Sequence, residues 1–375
     1  MNKIFYLFLL ICTGLFVEAQ TYKLHLKPGK NRIFIDSVSI NGKPVSGVFV
    51  FDTGSGETVI FSESALSSSL SYKKKWKLQR YSNTYYGKKK TSYGQFSEIQ
   101  IGELKLKNVE IGIMDWEEFN NPCFENRIIG VIGLDIIKKY HWFFDLKNQT
   151  GYASEEPVNN EGYNYFDLKK SFSKLYVYTD KTFLKNNPFQ KSKYLLDTGN
   201  PSSVVIRYED GKNWKKLPKG VQISMEFSNV ITKSLFYPDE VNLNNTNYIK
   251  QIQYSSNAKT TLGLGFFQQT KIIIPKGLRK IYYTDLAADT PLYVSKTGFN
   301  ITKKKNNDIK VYVLYKDSPA ERSGLKLGDV ILQINNKNLS DIDCLKLNYF
   351  MKEESEKDKM ILKLKNGKII TLLLN

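Results

Sequence analysis

The chain has 375 residues, enough for two or three domains with their own cores, and its 41% apolar and 25% charged residues are those of an ordinary globular protein. Its net charge of +18 comes from scattered lysines, with short runs at Lys73–Lys75, Lys88–Lys90 and Lys303–Lys305, and only six of the 55 basic residues are arginine. Nucleic-acid readers concentrate arginine on one face, so this charge points to a solvated surface rather than to nucleic acid, and with only His25 and His141 the chain has no multi-histidine metal site and little basis for Ser-His or Cys-His catalysis.

The first 19 residues read as an export signal. Lys3 supplies positive charge, Ile4 to Phe16 is an apolar stretch too short to span a bilayer well, and Val17-Glu18-Ala19 sets small residues before a cut at Gln20. No later segment is apolar enough to cross a membrane. The expected destination is the periplasm, the outer envelope or the outside of the cell. Leu10-Ile11 is a poor approach to a lipidated Cys12. Cys123 and Cys344 fall in different predicted domains, which argues against a structural disulfide.

Tyrosine and phenylalanine occur in short alternating stretches, which points to β structure. Residues 48–60 read Val-Phe-Val-Phe-Asp-Thr-Gly-Ser-Gly-Glu-Thr-Val-Ile. This is an apolar strand, a turn and a second apolar strand. Two tyrosine-rich arms around Gly87 and Lys88–Lys90 then predict a hairpin over residues 84–94. Clean alternation over Ile99–Ile101 and Leu104–Ile111 predicts another, turned at Gly102-Glu103.

The first unit then recurs. Residues 193–205 read Lys-Tyr-Leu-Leu-Asp-Thr-Gly-Asn-Pro-Ser-Ser-Val-Val. Ile132-Gly133-Leu134-Asp135-Ile136-Ile137 matches Leu262-Gly263-Leu264-Gly265-Phe266-Phe267, and each is followed by an apolar strand, Trp142–Phe144 or Ile272–Ile274. The first copy carries the longer insertion. A lone Asp-Thr-Gly is a weak signal, because Asp and Gly favour any turn. Two copies with matched strands and glycines form an internal repeat.

This repeat, over roughly residues 30–285, resembles the pepsin-like and retropepsin-like aspartic peptidases. The resemblance implies a two-lobed β-barrel fold whose catalytic pair is Asp52 and Asp197, with no cofactor and no metal. Two carboxyl groups about one water apart cannot both ionise, so one acts as base and one as acid. By the same resemblance Thr53 and Thr198 lock the two turns together. Gly54 and Gly199 keep side chains clear and offer N–H groups. The Ser55 hydroxyl supports the outer oxygen of the first Asp. Asn200 departs from the usual Ser, Thr or Ala, followed by Pro201, which implies altered tuning of the second carboxylate. Tyr86 and Tyr93 are candidates for a flap tyrosine, or for plain strand packing, since the family's Tyr-Gly-Thr-Gly is absent. Both carboxylates lie in one chain, so the site needs no dimer.

After residue 290 the texture changes. Ser318-Pro319-Ala320 reads as a helix start and Gly324 as its end. Strands are expected at Val311–Leu314 and Val330–Ile334, a helix near Asp341–Lys352, and a final hairpin turned by Asn366-Gly367 in a type I′ turn. This order, with Gly-Leu-Lys-Leu-Gly-Asp at 324–329, resembles PDZ domains. The resemblance implies that Gly298, Phe299, Asn300 and Ile301 form the carboxylate loop and the strand that take a peptide C-terminus; the other reading is a PDZ fold that packs and binds nothing.

The expected architecture is therefore mainly β: a signal at 1–19, lobe one at 20–155, lobe two at 156–289 and a PDZ domain at 290–375. The expected activity is aspartic endopeptidase on polypeptide substrates. The alternative is a catalytically inactive protease fold with a PDZ domain, acting as a peptide receptor of the cell envelope.

Overall fold

The computed structural model describes residues 20–374 apart from 28, 30, 62–72, 85–86, 115–125, 181–182, 186–191, 209–219, 228–229, 244–245, 257, 290–294 and 304–305. The expected signal segment, Tyr86 and Cys123 lie outside the described residues. The chain is mainly β, as the alternation predicts.

In each copy of the repeat the strand leading into Asp-Thr-Gly is apolar on both faces and buried on both. Val48–Phe51 runs parallel to Ile128–Ile132, with Phe51 opposite Ile132, while Ile128–Ile132 also pairs antiparallel with Val59–Phe61. Lys193–Asp197 runs parallel to Thr261–Gly263, with Asp197 opposite Gly263, and Thr261–Gly263 pairs antiparallel with Val204–Arg207. The strand entering each turn and the strand leaving it are thus separated by a third that arrives later in the chain. Parallel strands enclosed this way read as continuous hydrophobic runs.

The third strand must pass close under the turn, and this is where glycine is required. A Cβ on Gly133 would lie 2.3 Å from the backbone of Glu57, and one on Gly263 would lie 2.1 Å from the carbonyl of Ser202. Each crossing ends in one helical turn, Leu134–Ile137 or Leu264–Phe267, which buries its apolar side chains.

A six-stranded sheet joins the halves, in the order Thr21–Leu24, Thr150–Ser154, His141–Asp145, Lys271–Ile274, Lys280–Tyr283 and Asn164–Ser171. Three strands come from each half. At the centre Trp142 faces Ile274 and Phe144 faces Ile272. An approximate two-fold axis therefore passes between the strands that the repeat pairs in sequence. One hydrophobic core spans both halves, with Phe51, Trp142 and Phe144 on one side and Phe166, Phe266, Phe267 and Tyr283 on the other.

The region after residue 290 has its own core, containing Phe299, Ile301, Val311, Leu347, Phe350 and Leu372 among others. Strands Phe299–Lys303 and Ile309–Tyr315 precede a helical turn at Pro319–Arg322, capped by the Ser318 hydroxyl, which accepts from the Glu321 N–H. Strand Ile331–Ile334, helix Cys344–Ser355 and the hairpin Lys359–Leu364 with Ile369–Leu373 complete it. The last turn differs from expectation. Only Gly367 of the Asn366-Gly367 pair has positive φ, and the Leu364 N–H bonds the Lys368 carbonyl. The turn is a three-residue loop with a left-handed glycine, because type I′ needs both central residues at positive φ.

The two regions are not merely tethered. Strand Val221–Phe227 of the second lobe pairs antiparallel with Ile309–Tyr315 (Ile223 with Tyr315, Met225 with Val313). Ile223, Val313 and Tyr315 form a small apolar cluster there, and Lys310 pairs with Glu226 at 3.0 Å. At the chain junction the fully buried Lys250 ammonium donates to Asp289 at 3.0 Å and to the carbonyls of Phe266 and Ala287.

Candidate active site

The two Asp-Thr-Gly turns meet at the approximate two-fold axis. The Thr53 N–H donates to Thr198 Oγ1 at 3.0 Å, and the Thr198 N–H donates to Thr53 Oγ1 at 3.1 Å. Each hydroxyl then donates across the interface, Thr53 to the Leu196 carbonyl and Thr198 to the Phe51 carbonyl, both at 2.9 Å. Both threonines are fully buried. Four hydrogen bonds in so small a volume fix the relative position of Asp52 and Asp197.

The glycines set how closely the carboxyl groups approach. A Cβ on Gly54 would stand 2.4 Å from Asp197 Cγ, and one on Gly199 would stand 2.5 Å from Asp52 Cγ. Each carboxyl group thus packs on the bare backbone of the other turn, and the two share a hydrogen bond. The Gly54 N–H donates to Asp52 Oδ1 at 2.7 Å and the Ser55 N–H to the same oxygen at 3.2 Å. Burial, then the charge of Asp52, push the Asp197 carboxyl well above the usual carboxylate range, against smaller opposing pulls from Lys174 and the Asn200 N–H. The two carboxyl groups are thus arranged to hold one proton between them.

Two neighbours differ from expectation. The Ser55 hydroxyl turns away and donates to the Glu57 carbonyl at 2.7 Å, so Asp52 is held by backbone N–H groups instead. Asn200 uses its side-chain oxygen to accept from the Ser202 N–H at 2.9 Å, while its own N–H bonds the Asp197 carbonyl at 3.1 Å. It shapes its turn and reaches the carboxylate through its backbone.

Strands Lys73–Thr84 and Gly87–Ile101 form a hairpin with Thr84 opposite Gly87, so the turn comes earlier than expected and Gly87 and Lys88–Lys90 lie on the second strand instead of at the tip. Tyr93 is not at its tip. It is buried opposite Gly112, and its hydroxyl donates to Glu57 Oε2 at 2.6 Å. This is strand packing that also secures the segment following the first Asp-Thr-Gly turn.

Two cations that sequence reasoning missed lie at the turns. Lys174 Nζ donates to the carbonyl of Gly54, and Arg32 Nε donates to the carbonyl of Gly199 at 3.4 Å. Each comes from the lobe opposite the glycine it touches. Neither has a motif of its own. Extending the comparison of the two copies upstream of their Asp strands is the one signal that would have paired them.

In the C-terminal region Gly298 has φ +81°, and a Cβ there would lie 2.0 Å from that of Ser318. The Gly298 carbonyl accepts from the Tyr315 N–H, so the Phe299–Leu314 pair is non-hydrogen-bonded and the Phe299 N–H points off the sheet. Among the described residues no strand pairs with the outer edge of Phe299–Lys303. An exposed edge of this kind can take an added peptide strand.

Residues 37–136 match the family model for aspartyl protease, and residues 310–366 match that for the PDZ domain. Plasmepsin VIII of Plasmodium berghei (strain Anka) is 28% identical over 196 residues, which cover 45% of this chain and 51% of the relative. The chain thus spans about half the length of the curated relative it matches. By these matches, residues 37–136 are similar to aspartyl proteases, with the Asp-Thr-Gly at 52–54 repeated at 197–199, and residues 310–366 are similar to PDZ domains.

Proposed function

We propose that the chain is an aspartic endopeptidase, and that its PDZ domain binds the free carboxyl terminus of a peptide. The observation that carries the first part is the shared hydrogen bond between Asp52 and Asp197, each packed on the other's glycine. With Asp197 protonated and Asp52 ionised, Asp52 takes a proton from water as the oxygen attacks the scissile carbonyl carbon. Asp197 gives its proton to the carbonyl oxygen. The result is a gem-diol with no covalent enzyme adduct. Asp52, now protonated, gives its proton to the leaving nitrogen as the carbon–nitrogen bond breaks. Asp197 takes a proton back from one gem-diol hydroxyl, which leaves a carboxylic acid and restores the starting pair. Residues 1–19, read as an export signal, put this activity outside the cytosol within the same proposal; N-terminal sequencing of the processed protein tests it.

The turned-away Ser55 hydroxyl and the lysine at the Gly54 carbonyl favour a second reading, the inactive peptide receptor. Digestion of unfolded casein at acidic and neutral pH separates the two. An active peptidase cuts it, and Asp52→Asn or Asp197→Asn lowers the rate by roughly a thousandfold or more, as removal of a group acting in the transition state does. Peptide binding without cleavage at any pH supports the receptor and overturns the peptidase.

A further inference from the structure

The hairpin of strands Asn164–Ser171 and Lys174–Tyr178 belongs to the second lobe, yet its tip works on the first. Ser171 pairs with Lys174, so Phe172 and Ser173 form the turn, with Phe172 at φ +54° and 97% exposed. A Cβ on Gly56 would lie 2.6 Å from that of Ser173, so the tip is wedged against the first catalytic turn. Lys174 follows immediately and its ammonium reaches the Gly54 carbonyl.

Across the approximate two-fold axis Arg32 approaches the Gly199 carbonyl in the same manner. A backbone carbonyl is a neutral acceptor and a weaker partner for a cation than a carboxylate. The anions that act on Lys174 are Asp52 and Asp197 themselves, while Lys259 acts against it. A pair sharing one proton carries about one negative charge. Set beside Lys174 and Lys259, that one charge leaves the surroundings of Lys174 net positive. Burial, then Lys259, push the Lys174 ammonium below its ordinary value, against Asp52 and Asp197. A further anion there would relieve the repulsion between Lys174 and Lys259.

We propose that Lys174, with Arg32 as its counterpart across the axis, is a specificity-determining residue that makes the cleft select peptides bearing Asp or Glu beside the scissile bond. The proposal rests on the peptidase reading. An incoming carboxylate offers Lys174 a charged partner, draws it off the Gly54 carbonyl and frees that acceptor for the backbone of an extended substrate.

The test uses the full chain and peptide pairs differing only by Glu or Gln next to the cleaved bond. All are C-terminally amidated, so that the PDZ groove does not hold them. The expected result is a kcat/KM at least about tenfold higher for the Glu peptide, the scale of a close charge pair in a partly desolvated site. Lys174→Met brings the ratio near unity, Lys174→Glu turns the preference towards a Lys peptide, and Lys174→Arg keeps it. The arginine variant separates loss of charge from loss of packing. Equal rates on Glu and Gln peptides, or a preference that survives Lys174→Met, overturns the proposal. If no peptide of any composition is cut, the peptidase reading fails on its own. Fluorescence polarisation of the same amidated pairs then decides the inference: tighter binding of the Glu peptide, lost in Lys174→Met, supports it, and equal binding overturns it.

Discussion

Thr53 and Thr198 each give an N–H to the other's hydroxyl, and each hydroxyl passes its proton to a carbonyl of the opposite turn. Neither side chain touches solvent. Replacing either by Ala leaves a buried N–H and a buried carbonyl unpaired, and each such orphan costs about 1–3 kcal/mol. Thr53→Ala and Thr198→Ala should therefore each lower the unfolding free energy by roughly 2–4 kcal/mol. The two hydroxyls share no hydrogen bond, but once one pair of bonds is lost the turns are freer to part, so the double variant should lose less than the sum. Urea unfolding of the four proteins measures this. Additive losses would mean that the two residues do not act as one lock.

A methyl group at Gly54 has nowhere to go. Its Cβ would stand 2.4 Å from Asp197 Cγ, closer than any real contact, and the neighbour is a short side chain with little room to shift. Gly54→Ala should displace the Asp197 carboxyl and break the bond it shares with Asp52. A misplacement of about 1 Å at reacting groups costs on the order of a hundredfold in rate. Casein or peptide hydrolysis should fall by at least that factor while circular dichroism stays β. Gly199→Ala, 2.5 Å from Asp52 Cγ, should do the same. Full activity in either variant would show that the close carboxyl pair is not the reacting unit.

What was legible in the sequence follows from which forces are local. The strands into Asp52 and Asp197 are buried on both faces, so they appear as unbroken apolar runs. The crossing glycines appear because no other residue fits there. The PDZ helix turn appears because Ser318 and Pro319 encode a cap. Lys174 was hidden among many scattered lysines, since burial of a lysine is decided by a neighbouring lobe and not by its own segment. The Ser55 hydroxyl was misread because a rotamer about one bond selects between Asp52 and the Glu57 carbonyl. The pairing of Val221–Phe227 with Ile309–Tyr315 depends on two distant segments meeting, and nothing local marks it.

The raised Asp197 carboxyl gives stability a definite dependence on pH. Burial, then the Asp52 charge, hold its folded pKa well above the ordinary carboxylate value. The folded state then binds a proton that the unfolded state has released. Its contribution is fully present below the unfolded carboxylate pKa, near 3.9, and is lost as pH rises from there towards the folded value. An amide at this position does not titrate. Asp197→Asn should thus gain stability relative to the wild type between acidic and neutral pH, with little difference near pH 3. Unfolding by urea at both pH values reads the difference. A gap that does not change with pH would remove the basis for assigning the shared proton to Asp197.

Strand Ile309–Tyr315 carries two loads. One edge holds Phe299–Lys303, whose outer edge pairs with no strand among the described residues, and the other holds Val221–Phe227 of the second lobe. By the repeat, Val221–Phe227 and Val230–Leu243 occupy the place in lobe two that the hairpin of Lys73–Thr84 and Gly87–Ile101 takes in lobe one. The PDZ domain therefore has hold of the second lobe's counterpart of that hairpin. The side-chain link is Lys310 with Glu226 at 3.0 Å, both partly buried. Glu226→Lys places two ammonium groups there, and like charge at close range is destabilising. Hydrogen exchange should speed up in residues 221–227 and 309–315 together, while the strands around Thr53 and Thr198 stay protected. Reversing the pair with Glu226→Lys and Lys310→Glu should restore protection to near the wild-type level. If Glu226→Lys loosens only residues 221–227, or if the reversed pair recovers nothing, the two strands do not open as one unit and the hairpin is held by its own lobe alone.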